Sequence, residues 1–254
     1  MALKQLKEKE EIRAAYSGKK ISAQYTEERF TTSMGAILHQ HQLAFLNQVL
    51  AQHGIQSIVE IAPGPARLTA EAKLRGGQTG IMIEINRNML ERARNRLETI
   101  RNRPYWSMIQ GDAFHLPLQG SFDFCYTFRL IRHFTVEDRR AIYQEIRRIL
   151  KPGGLLLFDA VNQEVSAPLR QMEGPETYPI YDVLFRREEL VAELHENGFD
   201  IATWEPVYPS FWLQRRLQIY LAPRLPKLAH QLIHWLEQAP GYAPLEWMVL
   251  CKKV

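Results

Sequence analysis

The sequence predicts an α/β protein in which helices cover both faces of a doubly wound, mostly parallel β-sheet. Short apolar runs of strand length alternate with segments of helical periodicity, which is typical of parallel sheets. The first run, residues 57–61, is β-branched and apolar around one acid, Glu60. Pro63-Gly64-Pro65 ends it, and residues 68–74 have a helix-forming composition. A strand, a glycine turn and a helix form the nucleotide-binding corner of doubly wound folds.

The remaining elements follow in order along the chain. Strands are expected at about 57–61, 80–85, 105–110, 121–128, 155–159, 199–204 and 245–251, and helices at about 32–52, 68–74, 86–101, 136–150 and 187–197. Lys151-Pro-Gly-Gly is a strong stop signal after the fourth of these helices. The regions at about 161–185 and 206–242 break the alternation and are predicted to be cap or lid insertions. We therefore expect an N-terminal helical cap at 1–52 and a Rossmann-like domain at 53–254.

Composition bounds the class of protein. The 254 residues suffice for one sizeable α/β domain, and 46% hydrophobic with 24% charged residues is ordinary for a globular protein. A net charge of +4 is too small to indicate a nucleic-acid partner. The charged N-terminus lacks a signal-peptide core and no apolar run could span a membrane, so a soluble, cytoplasmic protein is expected. Cys125 and Cys251 are expected to be buried free thiols.

An acid at the end of the second predicted strand indicates a ligand at the glycine turn. Glu84 follows Gly64 by 20 residues (84 − 64 = 20), a position from which a carboxylate can accept hydrogen bonds from both ribose hydroxyls. An adenosine site is therefore predicted, with NAD or S-adenosylmethionine as the main candidates. The alternative is that Gly64 only makes a tight turn.

Five motifs occur in order along the chain. They are Val59-Glu-Ile-Ala-Pro-Gly-Pro-Ala, Glu84, Gly111-Asp-Ala, the segment from Phe122-Asp to Arg132-His-Phe, and Arg148-Ile-Leu-Lys-Pro-Gly-Gly-Leu-Leu-Leu-Phe-Asp. Together they resemble the class I S-adenosylmethionine-dependent methyltransferases, and most nearly the ubiquinone/menaquinone C-methyltransferase branch, over roughly residues 25–252. The resemblance implies S-adenosylmethionine as the cofactor and S-adenosylhomocysteine as its product. It also implies a seven-stranded sheet whose last strand is antiparallel, which would keep the two cysteine-bearing strands apart.

The resemblance also implies which residues contact the cofactor. They are Tyr25, Arg29, Glu60, Ala62, Pro63, Gly64, Glu84, Ile85, Asp112, Ala113, Thr127 and Phe128. Glu60 would orient the loop or the methionine amino group, and Gly64 would lie beside the methionine. Glu84 would hold the ribose hydroxyls and Asp112 the adenine amine. Residues 127–129 would flank the sulfonium, and residues 25 and 29 would close over the cofactor from the N-terminal cap.

The glycine motif departs from the family pattern. Ala62 and Ala66 replace its first and third glycines, and alanine tolerates a positive φ less well than glycine. The loop is therefore expected to lie slightly differently and to bind the cofactor less tightly. A scaffold or regulator that binds the cofactor without transfer is one alternative function. An NAD-dependent oxidoreductase is another, although it would want Gly-x-Gly-x-x-Gly, of which only Gly64 is present.

Three residues after the fourth strand are the catalytic candidates. His133 is a candidate base, with the alternative that it packs and orients Arg132. Arg129 and Arg132 could bind an anionic or phenolate acceptor, or form salt bridges with acids of the cap. His39 and His41 are expected on different helix faces. His230, His234 and Glu237 share a face, but this signal is weak and we expect no metal.

The second insertion bears on the substrate. Trp204, Tyr208, Phe211, Trp212 and Tyr178 would line an apolar lid over the methyl group, or would simply pack the insertion onto the domain. Arginines among apolar residues at 206–242 also suit weak contact with a membrane surface. The predicted function is methyl transfer from S-adenosylmethionine to a small, hydrophobic or aromatic molecule, with no nucleic-acid partner.

Overall fold

A computed structural model describes residues 32–52, 54–98, 105–178, 182–241 and 243–254. Tyr25 and Arg29, predicted to close over the cofactor, lie outside these residues, as does most of the predicted N-terminal cap. The boundary between that cap and the following domain stays a prediction. No helix in the described part of the chain is both long and apolar enough to cross a membrane.

Seven strands form one sheet. They are β1 (Ser57–Ile61), β2 (Thr79–Glu84), β3 (Tyr105–Gln110), β4 (Phe122–Thr127), β5 (Leu150–Val161), β6 (Phe199–Val207) and β7 (Glu246–Lys253). Their order across the sheet is β3-β2-β1-β4-β5-β7-β6. The pairs from β3 to β5 are parallel, whereas β7 runs antiparallel to both β5 and β6. The predicted doubly wound sheet with an antiparallel last strand is confirmed.

The helices follow the predicted alternation with additions in the insertions. They are α1 (Ser33–Gln52), α2 (Arg87–Glu98), α3 (Val136–Ile149), α4 (Gln163–Glu173), α5 (Arg187–Glu196), α6 (Phe211–Arg216) and α7 (Pro226–Gln238). A five-residue π-helix, Leu217–Leu221, continues α6. Thr135 caps α3 because its hydroxyl accepts from the Asp138 N–H. Asn162 caps α4, so the first predicted insertion begins with a regular helix.

The predicted helix after β1 is wrong. Residues 64–71 form successive turns instead, and only the Ala70 and Ala72 N–H groups bond at helical spacing in this stretch. Two tertiary contacts compete with a helix here: the Thr69 hydroxyl donates to Glu60, and the Lys73 N–H donates to Asn47 Oδ1 of α1 at 2.7 Å. The Lys73 N–H, near the end of the predicted helix, therefore bonds to α1 and not to a carbonyl of the preceding turn.

The fifth strand also starts earlier than predicted. It begins at Leu150, so the stop signal Lys151-Pro-Gly-Gly lies inside it, and the pairing with β4 shifts register there. A Cβ at Gly154 would lie 2.9 Å from the Lys151 carbonyl oxygen, which only glycine avoids. The same four residues therefore end α3 and form a β-bulge at the start of β5.

Alternate residues of the central strands feed two large apolar clusters. Val59, Cys125 and Leu156 belong to the cluster that packs against α3 and α5, and Ile58 and Phe124 belong to the one that packs against α1. This is the arrangement of a sheet buried on both faces.

The two cysteines are buried free thiols, as predicted. Cys125 of β4 and Cys251 of β7 are both aligned with Leu156 of β5, which lies between them. Two strand spacings, about 10 Å, separate them, which is beyond the reach of a disulfide.

Candidate active site

The turn after β1 holds three residues in the left-handed conformation. Ala62, Gly64 and Ala66 have φ angles of 55°, 57° and 55°. For a residue with a Cβ this conformation costs roughly 1–2 kcal/mol, so both alanines stand where glycine would be less strained. The Ala62 N–H donates to the Ile83 carbonyl at 2.8 Å, which ties the start of the turn to β2.

Glu84 links this turn to the ends of β2 and β3. Its Oε2 accepts from the Gly64 N–H at 3.0 Å, and its Oε1 accepts from the Asn86 N–H at 2.9 Å. Its carbonyl oxygen accepts from the Gly111 N–H at 3.1 Å. Burial of the side chain raises the pKa of the Glu84 carboxyl, against the effect of these N–H donors. The structure thus brings Gly64 and Glu84 together as predicted.

The loop after β3 brings Asp112 to the same end of the sheet. Asp112 Oδ1 accepts from the Phe114 N–H at 3.0 Å, and Asp112 and Ala113 are both half-buried. The loop lies close against β2, because a Cβ at Gly111 would approach Ile83 Cγ2 to 2.9 Å. The carboxyl end of parallel strands is where doubly wound folds bind ligands.

Glu60 lies beneath this turn, fully buried in the sheet. Its Oε2 accepts from the hydroxyls of Thr69 and Tyr126, the latter at 2.9 Å. Desolvation raises the pKa of Glu60 to about 7, although the two hydroxyls and the charge of Arg67 oppose that shift. Through Thr69 the carboxyl holds the turn, which corresponds to the loop-orienting alternative predicted for Glu60.

Thr69, Tyr126 and Arg67 were not anticipated by sequence reasoning. The sequence signal for Tyr126 was a hydroxyl group within a buried strand. Strand β4 pairs with β1, and their register places Tyr126 opposite Glu60. Arg67 donates to Gln42 Oε1 at 2.6 Å and contacts His39 Nδ1, so α1 is anchored on the turn. No local pattern signals that long-range contact.

The remaining predicted cofactor residues lie around the same turn. Pro63 is buried and Ile85 is exposed. Thr127, the last residue of β4, is fully buried, and its Oγ1 has no hydrogen-bond partner among the described residues. Phe128 is half-buried beside it. An orphaned buried hydroxyl at the carboxyl end of the sheet is a group that a bound polar ligand would satisfy.

The other half of this sheet end is built on a buried arginine. The Arg132 guanidinium donates to both oxygens of Asp182, from Nε at 2.5 Å and from Nη2 at 2.6 Å. Its Nη1 reaches Asp159 at 3.2 Å and Glu246 at 3.4 Å. These carboxylates raise the pKa of Arg132, whereas Arg132 opposes the rise that burial causes in the pKa of Glu246.

This network bears on the two roles predicted for Arg132, whose catalytic role stays a prediction. Asp182 belongs to the first insertion and also accepts from Arg170 Nη2 at 2.5 Å. Arg132 therefore forms salt bridges, including one to an acid of the cap, which was the alternative to binding an acceptor. His133 is also buried, with Nδ1 3.8 Å from Asp182 Oδ1. That position is typical of a packing residue, and the base role of His133 stays a prediction.

Arg129 differs from its neighbour. It is half-buried with a φ of 62°, and its N–H donates to Asp159 Oδ1. A left-handed conformation outside glycine is uncommon and is often found at functional sites. Asp159 thus fixes the main chain at Arg129 and also receives the side chain of Arg132.

The predicted aromatic lid residues mainly pack the second insertion onto the domain. Trp204 stacks edge-on against Trp247 with ring centroids 5.3 Å apart. Tyr208 is buried and its hydroxyl donates to the Met34 carbonyl at 2.6 Å, and Phe211 is buried next to Trp212. The hydroxyl of Tyr178 contacts Glu173. The packing alternative therefore holds for Tyr208 and Phe211, whereas Trp212 is exposed.

Glu237 does not join His230 and His234. His41 lies between two carboxylates, with Nδ1 2.7 Å from Glu237 and Nε2 2.7 Å from Glu205, and these partners raise the pKa of His41 to about 9 against desolvation. His39 contacts Arg67 instead, so the predicted separation of His39 and His41 onto different faces is confirmed. Within the described ranges no group of three or more His, Cys, Asp or Glu side chains could hold a metal ion.

Comparison with known proteins agrees with this geometry. Residues 58–154 match a family model described as a methyltransferase domain. Among curated proteins, none matches the chain significantly.

Solved structures share the fold over most of the chain. Magnesium protoporphyrin IX methyltransferase from Synechocystis PCC 6803, with bound SAH, is 11% identical; the alignment covers 97% of this chain and 100% of that chain, with a TM-score of 0.66. The complex of the Haloferax volcanii Trm112 activator with a putative methyltransferase is 16% identical. Its alignment covers 92% of this chain and 97% of that chain, with a TM-score of 0.63. A possible histamine N-methyltransferase from Thermotoga maritima is 21% identical. Its alignment covers 85% of this chain and 90% of that chain, with a TM-score of 0.56.

The chain therefore has the fold of the class I S-adenosylmethionine-dependent methyltransferases. Residues 58–154 match the model of a methyltransferase domain, so the predicted resemblance is confirmed and S-adenosylmethionine is indicated as the cofactor. The narrower likeness to the ubiquinone and menaquinone branch stays a prediction.

Proposed function

We propose that this chain is an enzyme that transfers a methyl group from S-adenosylmethionine to a small, hydrophobic or aromatic molecule. The observation that carries the proposal is the corner formed by three chain segments. The left-handed turn at Gly64 is bonded to the Glu84 carboxylate, and the Glu84 carbonyl is bonded to the loop that bears Asp112. A carboxylate at each of two neighbouring strand ends, beside such a turn, suits an adenosine.

The residues at this corner fit the cofactor. Glu84 would accept from the ribose hydroxyls, Asp112 would accept from the adenine amine, and the turn at Gly64 would lie beside the methionine. The buried Thr127 hydroxyl, which has no partner within the described segments, would find one in the bound cofactor. We further propose that residues 25 and 29 belong to a cap at 1–52 that closes the site.

Arg129, Arg132 and His133, which follow β4, are the candidates on the acceptor side of the site. When bound, the cofactor supplies an activated methyl group, so alignment of the acceptor can supply most of the rate enhancement. Arg129, whose left-handed main chain lies just beyond the carboxyl end of β4, is the residue that we propose for an anionic or phenolate acceptor. His133 would serve as a base only for an acceptor that must lose a proton.

Two neighbours support a small-molecule acceptor. The Synechocystis and Thermotoga structures are a magnesium protoporphyrin IX methyltransferase and a possible histamine N-methyltransferase. The mild net charge of +4 supports the same reading over a nucleic-acid substrate. We propose a cytoplasmic enzyme whose second insertion also contacts a membrane surface weakly.

Calorimetric titration tests the cofactor site. We expect S-adenosylhomocysteine to bind and NAD not to bind. Substitution Glu84→Ala should weaken S-adenosylhomocysteine roughly 10- to 100-fold, because hydrogen bonds to a charged group contribute about 1.5–3 kcal/mol. The matched control Glu91→Ala, an exposed acid on α2, should bind as wild type does. Binding of NAD without S-adenosylhomocysteine would instead favour an oxidoreductase.

Transfer itself is tested with S-adenosylmethionine that carries a labelled methyl group. A panel of phenols, heteroaromatic amines and prenylated quinols is incubated with the protein and analysed by mass spectrometry. Label in one acceptor class, reduced by Arg129→Ala but not by the exposed Arg94→Ala, supports the proposal. Cofactor binding with no transfer to any panel member would favour a cofactor-binding regulator.

A further inference from the structure

The second insertion exposes a concentration of large apolar side chains. They are Trp212, Leu213, Ile219, Tyr220, Leu225, Leu228, Leu232 and Trp235, which we call the outer face. All eight lie within 24 residues (235 − 212 + 1), whereas the rest of the described chain exposes five: Ile85, Val136, Met172, Val191 and Val254. Trp235 and Tyr220 are 66% and 69% exposed. A patch of this kind marks an interaction surface.

Helix α7 is apolar on two separate stripes. Ala229, Ile233 and Leu236 are buried and face the domain. Leu225, Leu228, Leu232 and Trp235 recur at spacings of three, four and three residues, so they form a second stripe along one side of the helix. Because the inner stripe already attaches the helix to the domain, the outer stripe is not needed for that packing.

Helix α6 and the π-helix that follows it carry the other half of the outer face, and they also have a buried side and an exposed apolar side. Phe211 and Gln214 are buried on the inner side of α6. Trp212, Leu213, Ile219 and Tyr220 are exposed together with Arg216. The π-helix that continues α6 packs against α7, so both exposed rows belong to one helical hairpin.

The charge of this hairpin is of one sign. Residues 211–236 contain Arg215, Arg216, Arg224 and Lys227 and no Asp or Glu. Their charge of +4 equals the net charge of the whole chain (+4), so the remaining residues sum to zero (4 − 4 = 0). The acid that follows, Glu237, is turned inward, where it accepts from the Tyr208 N–H at 2.9 Å and from Gln214 Nε2 at 2.7 Å.

We propose that the outer face binds the surface of an anionic lipid membrane. Leucines and tryptophans on one side of a helix, with arginine and lysine alongside, suit the boundary between headgroups and acyl chains. The exposed Arg216, Arg224 and Lys227 complement anionic headgroups, whereas Arg215 is paired with Glu173 of α4 at 2.7 Å. The hairpin would lie on the membrane, because neither α6 nor α7 is long enough to span it. This inference goes beyond methyl transfer and does not depend on it.

Vesicle flotation of the full chain tests the proposal. We expect binding to vesicles of phosphatidylcholine mixed with phosphatidylglycerol, weak binding to phosphatidylcholine alone, and loss of binding as salt is raised. Tryptophan emission should shift to shorter wavelength on binding. The variant Leu232→Ser/Trp235→Ser should bind at least about tenfold more weakly. The control Val191→Ser, an exposed apolar residue on α5, should bind as wild type does.

A second pair of variants tests the charge. Arg224→Gln/Lys227→Gln should bind mixed vesicles roughly 25-fold more weakly, since each basic residue near an anionic surface contributes about 1 kcal/mol, or about fivefold. The control Arg94→Gln/Arg140→Gln removes two exposed charges elsewhere and should leave binding unchanged.

Several results would overturn the proposal. They are no binding to mixed vesicles, equal binding to both vesicle types, and equal loss in the control variants. Light scattering could instead show a dimer that the Trp235→Ser substitution converts to a monomer, with no vesicle binding by either form. That result would show that a second copy of the chain covers the outer face, and it would also overturn the membrane proposal. Each of these leaves S-adenosylhomocysteine binding intact, so the two proposals fail separately.

Discussion

The two halves of the sheet's carboxyl end are built by different chemistry. At β1, β2 and β3 the glycine turn and the loop after β3 are joined to β2 mainly through main-chain N–H groups, as where Glu84 accepts from Gly64. At β4, β5 and β7 they are made by buried side-chain charges, and Arg132 joins carboxylates 27, 50 and 114 residues away. The first half is organised around main-chain groups of the turn, and the second around the Arg132 guanidinium.

This difference teaches where substrate specificity can vary. A main-chain cradle depends little on side-chain identity, so it can hold the same cofactor in distantly related chains. A buried ion network depends on every member, because removal of one leaves the others desolvated without a partner. The network connects Asp182 of the first insertion to the sheet, so the position of that insertion depends on these buried charges.

The largest effect is expected from Arg132→Met. Loss of the guanidinium leaves Asp159, Asp182 and Glu246 buried near one another, and breaking a buried pair in this way costs about 3–5 kcal/mol. The free energy of unfolding, measured by urea titration at neutral pH, should fall by that amount. The deficit should shrink in mild acid, because the stranded carboxylates can then protonate.

Two controls sharpen the comparison between the halves. Arg140→Met removes an exposed arginine whose pair with Glu196 is long, at 3.7 Å, and should change stability by less than about 0.5 kcal/mol. Glu84→Gln in the first half keeps an oxygen that can accept from Gly64 and should cost about 1 kcal/mol. An Arg132→Met protein as stable as either control would contradict the view that its network holds the second half.

The sequence predicts the first half well because its signals are local. A glycine turn after an apolar strand, and an acid 20 residues beyond it, locate Gly64 and Glu84 without any tertiary information. Asp112 and the antiparallel β7 are predicted only through the resemblance. It fails for the helix after β1, where Thr69 is drawn to Glu60 and Asn47 captures the Lys73 N–H.

The second half could not be predicted because its contacts join residues that are far apart in the sequence. The sequence offers Arg132 two roles, and the choice depends on whether an acid 50 residues later comes within hydrogen-bond distance. Aromatic residues such as Trp204 pose the same question, since lining a lid and packing a lid require the same composition. Both the role of Arg132 and that of the aromatic residues depend on which distant chain segments meet in the fold, and local sequence patterns do not encode this.

A smaller effect is expected from Glu60→Gln in the first half, and it concerns pH. The pKa of Glu60 is about 7 in the folded protein, above its ordinary value of 4.5. The protonated group therefore contributes stability that is complete below about pH 4.5 and is lost as pH rises through 7. That loss is at most about 3 kcal/mol. The glutamine variant, neutral throughout, should lose less stability between pH 5 and pH 8.

Urea titrations at both pH values measure this difference. Gln can still accept from Thr69 and Tyr126 through its amide oxygen, so the variant should remain folded. The control Glu91→Gln, on the surface of α2, should keep the wild-type slope. An unchanged slope in Glu60→Gln would show that Glu60 is ionised in the folded protein across this range.

The smallest effect separates the two alanines of the turn. In Ala62→Gly, release of roughly 1–2 kcal/mol of left-handed strain outweighs the roughly 0.5–1 kcal/mol that glycine's chain entropy costs, so the free energy of unfolding should rise by about 0.5–1 kcal/mol. Ala66 has the same φ, but its methyl group is buried beside Met82 and Ala93. Ala66→Gly also forfeits about 0.8 kcal/mol of burial, so its stability should stay near that of wild type. Equal gains in both variants would mean that packing at Ala66 contributes nothing, and a loss in Ala62→Gly would contradict the strain inferred from its φ.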